Sequence, residues 1–294
     1  MLYSLRHKTT YAYEHTVKFA RCVLRLTPST SAAQTVLSSG IKVTPRPSEK
    51  HERVGPFGER TVTVIVDKPH DALVIESRSR IDVHAPRLPE GGGGPWEAVR
   101  SQAFASSGLE ANGPAVFLYP TRRTPKLAPI TDYARESFPP GRPIIEAASE
   151  LMKRIHADFK YDPGATEVST PVLEAFNARH GVCQDFAQIM ISGLRGLGLP
   201  ASYISGYLRT IPPPGQPRLE GADATHAWLT VWCGSSVGWI GFDPTNAILA
   251  QNDHIELGVG RDYSDVAPID GIILASGAQT LTVEVDVIPE TEDA

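Results

Sequence analysis

Cysteine is scarce in this chain: three residues, Cys22, Cys183 and Cys233, among 294. An odd number at wide spacings excludes a disulfide framework and points to free thiols in a reducing compartment. Basic charge is not in surplus either. With 28 Lys and Arg against 33 Asp and Glu, the formal net charge is -5, so the cationic footprint for gripping nucleic acid or an anionic membrane is missing. No apolar run is long enough to cross a bilayer, and the opening MLYSLRHKTTYAYEH lacks the apolar block of a signal peptide; a cytoplasmic protein is expected. No spaced run of Asp and Asn closed by a glutamate marks an EF-hand calcium loop, and no cofactor is expected.

What is present is the material of real cores. Hydrophobic residues make up 41% and charged residues 21% of the chain, the balance of an ordinary globular protein. The length favours two domains. From Leu2 to about Val83, segments such as YSLRHKTTYAY, ARCVLRLTP and ERTVTVIVDKP alternate apolar and polar positions and are rich in Val, Ile, Thr and Tyr, the pattern of half-buried strands. Residues 1–90 are therefore expected to form a β-rich domain. The run Gly91 to Gly94 lacks the Lys-Ser/Thr that follows a phosphate-cradling loop, so it reads as a linker opening a loop-rich connection over 91–143. A core over 144–294 should follow, ending in a strand from Thr280 to Ile288 and a solvated tail, PETEDA.

Within that core, IIEAASELMKRIHADF places Ile144, Ala148, Leu151, Met152 and Ile155 at helical spacing; His156 on it reads as a surface histidine. A second helix is spelled by Val182, Phe186, Ile189, Met190, Leu194 and Leu197, closed by Gly196, Gly198 and Pro200. Cys183 falls in its first turn. There the unpaired N–H groups and the positive end of the helix dipole favour an anion, and a catalytic cysteine works as a thiolate. The backbone N–H of Cys183 is also a natural first donor to an oxyanion. A cysteine taken alone is more often buried packing, and Cys22 and Cys233 read that way.

The sequence THAWLTVWCGSSVGWIGFDPT, Thr225 to Thr245, reads as a β-hairpin in which His226, Trp228, Thr230 and Trp232 share one face. Trp239, Gly241 and Asp243 share a face of the returning strand. Two registers are open: Trp232 against Val237 sets His226 directly opposite Asp243, while Trp232 against Trp239 makes them diagonal neighbours. Either way both side chains lie on one face, and an Asp beside a His fixes the imidazole tautomer and stabilises the imidazolium. Trp228 reads as core, with shielding of the site from water as the alternative. His180, Cys183, His226 and Asp243 are also competent zinc ligands, but the second ligand pair of a structural zinc knuckle is missing.

The strings GVCQDFAQIMISGLRGLGLPASYISGYL, DATHAWLTVW and GWIGFDPTN resemble the bacterial transglutaminase-like proteins, thiol enzymes with a papain-like core. FKYDPGATEVSTPVLEAF and DHIELGVGRDYSDVAPIDG share the likeness, and HKTTYAYEHTV, LRLTP and KPHDAL resemble the β-rich domain that precedes that core. The resemblance implies an α+β fold: a helix carrying the cysteine, packed on an antiparallel sheet and preceded by a mostly β domain. It also implies a Cys–His–Asp triad at Cys183, His226 and Asp243, acting through a thioester on a protein or peptide amide. Transfer to an amine, peptidase or amidase hydrolysis, and a non-catalytic binding module that keeps the fold are the readings it leaves open. The chain departs from the family at Gln188, where a histidine is common, and at Val54 to Arg60, VGPFGER. Oligomeric state is not written in the sequence.

Overall fold

The computed structural model describes residues 1–84, 88–210, 221 and 223–290; the last four residues of the tail expected to be solvated lie outside them. Six strands come first: β1 (Leu2–Val17), β2 (Ala20–Thr27), β3 (Gln34–Thr44), β4 (Glu49–Val54), β5 (Arg60–Val66) and β6 (His70–Val83). Their alternation is the one the composition requires. Along β5, Val62, Val64 and Val66 are buried while the residues between them are half-exposed. β4 is exposed throughout and carries Glu49, Lys50, His51, Glu52 and Arg53, charges that discourage further pairing at a sheet edge.

The connection holds α1 (Trp96–Ala105) and α2 (Ala128–Arg135). The core continues with α3 (Ile144–Asp158), β7 (Lys160–Tyr161), α4 (Val172–Ala178), β8 (His180–Gly181), α5 (Cys183–Gly196), β9 (Ala201–Leu208), β10 (Ala224–Trp232), β11 (Trp239–Asp243), β12 (Ile248–Leu249), β13 (His254–Gly260) and α6 (Tyr263–Val266). Two strands end the chain, β14 (Ile269–Ile273) and β15 (Gln279–Pro289). Both turn back to the beginning: β15 pairs with β1 and β14 with β2. The two sheets of the β unit therefore run β15-β1-β6-β3 and β14-β2-β5-β4, and part of the span 144–294 hydrogen-bonds into the N-terminal sheets. The core sheet is antiparallel, in the order β12-β11-β10-β9-β13. The fold is α+β, a papain/transglutaminase-like core preceded by a mostly β domain. No helix among the described residues is long and apolar enough to cross a membrane.

Two apolar clusters hold these parts. Between the N-terminal sheets pack Leu5, Leu24, Val64, Ile75 and Val285, joined by Tyr207, Ile255 and Leu257 from the core sheet. The other cluster surrounds α5 with Ile130 and Ala134 of α2, Leu151 and Ile155 of α3, and Ala227, Leu229 and Val231 of β10. The apolar stripe read along α5 is present, but burial does not stop at its edge: every residue from Gln184 to Arg195 is buried. Its polar side chains must then be satisfied from within the protein. Arg195 shows how, donating to the carbonyls of Phe117, Ala201 and Arg261 and to Thr124 Oγ1.

Candidate active site

The site begins at the front of α5. Asp185, in the first turn, accepts the N–H of Val182 through Oδ2 at 2.9 Å and the hydroxyl of Thr166 at 2.6 Å, tying the preceding loop to the helix start. The loop has to pass close. A Cβ on Gly181 would stand 2.7 Å from that same Asp185 oxygen, so only glycine fits in front of this cap. The first turn closes with the N–H of Asp185 donating to Val182 O at 3.0 Å. The N–H groups of Cys183 and Gln184 precede it, and Cys183 is partly exposed.

Facing the helix, β10 and β11 take the second of the two registers: Trp232 pairs with Trp239 and Leu229 with Phe242. One step on, Asp243 lies across from Trp228 and diagonal to His226. His226 donates from Nε2 to Asp243 Oδ2 at 2.8 Å, which leaves Nδ1 uncommitted to Asp243, and its side chain also interacts with the Cys183 thiol. Burial works against the imidazolium, but the hydrogen bonds to Asp243 and Cys183 overcome it and raise the His226 pKa to about 10. The three residues picked from the sequence are thus brought together.

Asp243 is completely buried, and five donors converge on it. Oδ1 accepts the N–H groups of Thr245 and Asn246; Oδ2 accepts Asn246 Nδ2, His226 and, at 3.1 Å, Nε2 of His254. Burial favours its neutral form, yet these bonds, led by those from the two histidines, hold it well below the usual carboxylate range. His156 of α3 donates from Nδ1 to Thr245 O at 2.8 Å, so the surface histidine secures the turn that presents these donors.

His254 had no assigned role in the sequence. It opens β13, and the N–H of Gln251 donates to its Nδ1 at 3.3 Å, which leaves Nε2 as the proton-bearing nitrogen that meets Asp243. The indole of Trp228 lies between the histidines, stacked on His226 at 6.0 Å and edge-on to His254 at 5.2 Å. Trp228 is fully buried, as its core reading expected. Gly206 makes room for it: a Cβ there would meet the Trp228 ring at 2.5 Å and Ile255 O at 2.2 Å. The local signal for Asn246 was present in GFDPTN, where Asp followed by a turn residue invites an Asx turn; His254 carried no comparable signal.

Among the described residues, His226, Asp243 and His254 also stand close enough to hold a metal ion, with ligand atoms within 4.8 Å of one another. That set uses neither His180 nor Cys183, and both histidines already spend a ring proton on Asp243. A cavity of about 660 Å³ is lined by Trp228, Thr230, Trp239 and His254 but not by Cys183. It lies against Trp228 and His254 rather than opening on the thiol.

The chain has relatives in sequence and in fold. The family described as the bacterial transglutaminase-like N-terminal region matches residues 3–82, and the transglutaminase-like superfamily matches residues 131–244. A protein of Mycobacterium tuberculosis strain H37Rv, described as uncharacterized, is 38% identical over 305 residues, covering 99% of this chain and 94% of that one. A protein-glutamine gamma-glutamyltransferase of Pseudomonas aeruginosa is 28% identical over 135 residues, 45% of this chain and 20% of its own length. A crystal structure of a candidate cysteine protease from Cytophaga hutchinsonii superposes with a TM-score of 0.71 at 19% identity, covering 99% of this chain and 92% of that one. This chain belongs to the bacterial transglutaminase-like proteins of the transglutaminase-like superfamily.

Proposed function

We propose that this protein is a thiol enzyme of acyl transfer at an amide of a protein or peptide, with Cys183 as nucleophile, His226 as acid and base, and Asp243 as the positioning residue. One observation carries the reading: Asp243 Oδ2 takes the Nε2–H of His226 at 2.8 Å, and the same imidazole also interacts with a thiol in the first turn of a helix. The Cys183 sulfur attacks the amide carbonyl and forms the C–S bond. The oxyanion is received by the N–H groups of Cys183 and Gln184, which precede the first helical hydrogen bond. The C–N bond then breaks, the leaving amine takes its proton from His226, and the acyl group remains as a thioester.

Release reverses the roles. His226, now neutral, takes a proton from an amine or a water as it attacks the thioester; the C–S bond breaks and the thiol is restored. The buried carboxylate matters at each stage because it stabilises the imidazolium and fixes which nitrogen faces sulfur. The Pseudomonas relative, a protein-glutamine gamma-glutamyltransferase, supports the amine as acceptor.

Alkylation by iodoacetamide at neutral pH tests the nucleophile. Cys183 should react faster than the same cysteine in unfolded protein, and His226→Ala should remove the advantage; equal rates in all three would overturn the proposal. A panel of glutamine peptides with and without a primary amine then separates acceptors. Amine incorporation marks transfer, and ammonia release without incorporation marks hydrolysis.

A further inference from the structure

Since α5 is buried on all sides, each polar side chain along it needs a partner. Gln184 donates from Nε2 to Val168 O at 3.2 Å, Asp185 accepts from Val182 and Thr166, Ser192 donates to Pro125 O, and Arg195 spends its donors on four oxygens. Gln188 stands apart. It is 2% exposed, and its amide Nε2 has no partner among the described residues.

Gln188 lies on the wall of a cavity of about 470 Å³ together with Arg122, Arg123, Ser169, Thr170 and Ser264. Among the described residues, both charged residues on that wall are arginines, and no Asp or Glu lines it. Arg123 is held in place: it donates to Ser264 Oγ and Val168 O, and its guanidinium sits over the Tyr263 ring at 5.4 Å. Arg122 is exposed and forms no hydrogen bond or ion pair among the described residues. In a chain of net charge -5, an acid-free cavity with two guanidinium groups and an unspent amide is matched to an anion. A carboxylate suits the planar guanidinium fork, which binds it through two parallel hydrogen bonds.

The cavity is coupled to the nucleophile by position. Val168 O receives both Arg123 and Gln184, the residue next to Cys183. Gln188 follows Cys183 by five residues, about 7.5 Å along the helix axis but about 140° around it. The cavity, which Cys183 does not line, therefore stands on a different face of α5, within about three residues of an extended peptide. We propose that this cavity is a subsite for a carboxylate on the acyl-donor substrate, held by Arg122 and Arg123 with the Gln188 amide as the buried donor. The proposal rests on the acyl-transfer reading of Cys183 and narrows its substrates to acidic ones. The Gln188 amide donates at any pH, leaving the charge to the arginines.

Calorimetric titration of Cys183→Ala protein with glutarate, with the uncharged glutaramide and with inorganic phosphate tests the subsite without any chemistry. Glutarate should bind, glutaramide should not, and phosphate should bind more weakly than glutarate. Arg122→Ala, at an exposed position where folding is not at stake, and Gln188→Leu should each weaken glutarate about tenfold. No glutarate binding, or binding unchanged by both substitutions, overturns the subsite; phosphate binding as tightly as glutarate overturns its assignment to a substrate carboxylate. An unreactive Cys183 alongside intact glutarate binding would instead remove the acyl-transfer reading and leave an anion site.

Discussion

Two buried histidines, one in each half of the molecule, are driven in opposite directions. His7 of β1 is 2% exposed; its ring nitrogens meet the Tyr207 hydroxyl at 2.8 Å and Thr9 Oγ1 at 2.9 Å, and burial pushes its pKa down to about 4. His226 of β10 is 9% exposed, and burial acts on it in the same sense, yet Asp243 and Cys183 bring it up to about 10. Depth in the protein does not decide the proton. Neutral hydroxyls leave desolvation unopposed, whereas a carboxylate that is itself held ionised outweighs it.

The comparison breaks most visibly at the sulfur. Cys183→Ala should lower amide turnover by about a thousandfold or more, with the fold and the His226–Asp243 pair intact, as followed by ammonia release and by circular dichroism. If turnover survives, the charged histidine serves some other purpose. Next in size is Asp243→Asn, which makes His226 resemble His7. Turnover should fall about a hundredfold or more, and the alkaline limb of the pH profile should move from near 10 toward the ordinary histidine value of 6.5, because the group that raised the pKa is gone. An alkaline limb that stays in place would show that Asp243 does not set it.

Stability should sort the same two residues. The His7 pKa is depressed on folding, so the unfolded chain binds more protons between 6.5 and about 4. Stability should therefore fall as pH drops through that window, by up to about 3 kcal/mol, measured by urea unfolding against a His7→Gln protein. His226 has the opposite sign: its contribution is complete below 6.5 and is lost as pH rises through about 10. The smallest effect is expected for His254→Gln, which can still offer Asp243 a donor; turnover should drop less than about tenfold. A loss as large as that of Asp243→Asn would put His254 at the centre of the relay.

Much of this was legible residue by residue. The alternation of β1 and β5 and the spacing along α3 and α5 made those elements readable, since a buried face must repeat every two or every 3.6 residues. Cys183 at a helix start and a His and an Asp on one face of a hairpin followed from the same periods. The short α4, β13 and β14 were hidden because a few residues carry too little pattern. The full burial of α5 was hidden because its polar residues find partners 3 to 78 positions away, most of them far along the chain.

The sequence by itself determined which residue types lie on which face, because side-chain direction depends only on local backbone geometry. Only the tertiary structure decided that Trp232 pairs with Trp239, that β15 closes on β1, that His254 arrives at Asp243, and that Gln188 alone among the polar side chains along α5 is left with an unpartnered donor. Each of these depends on where distant stretches of chain come to rest, and that position is set by the packing of whole elements rather than by any period a single strand or helix carries.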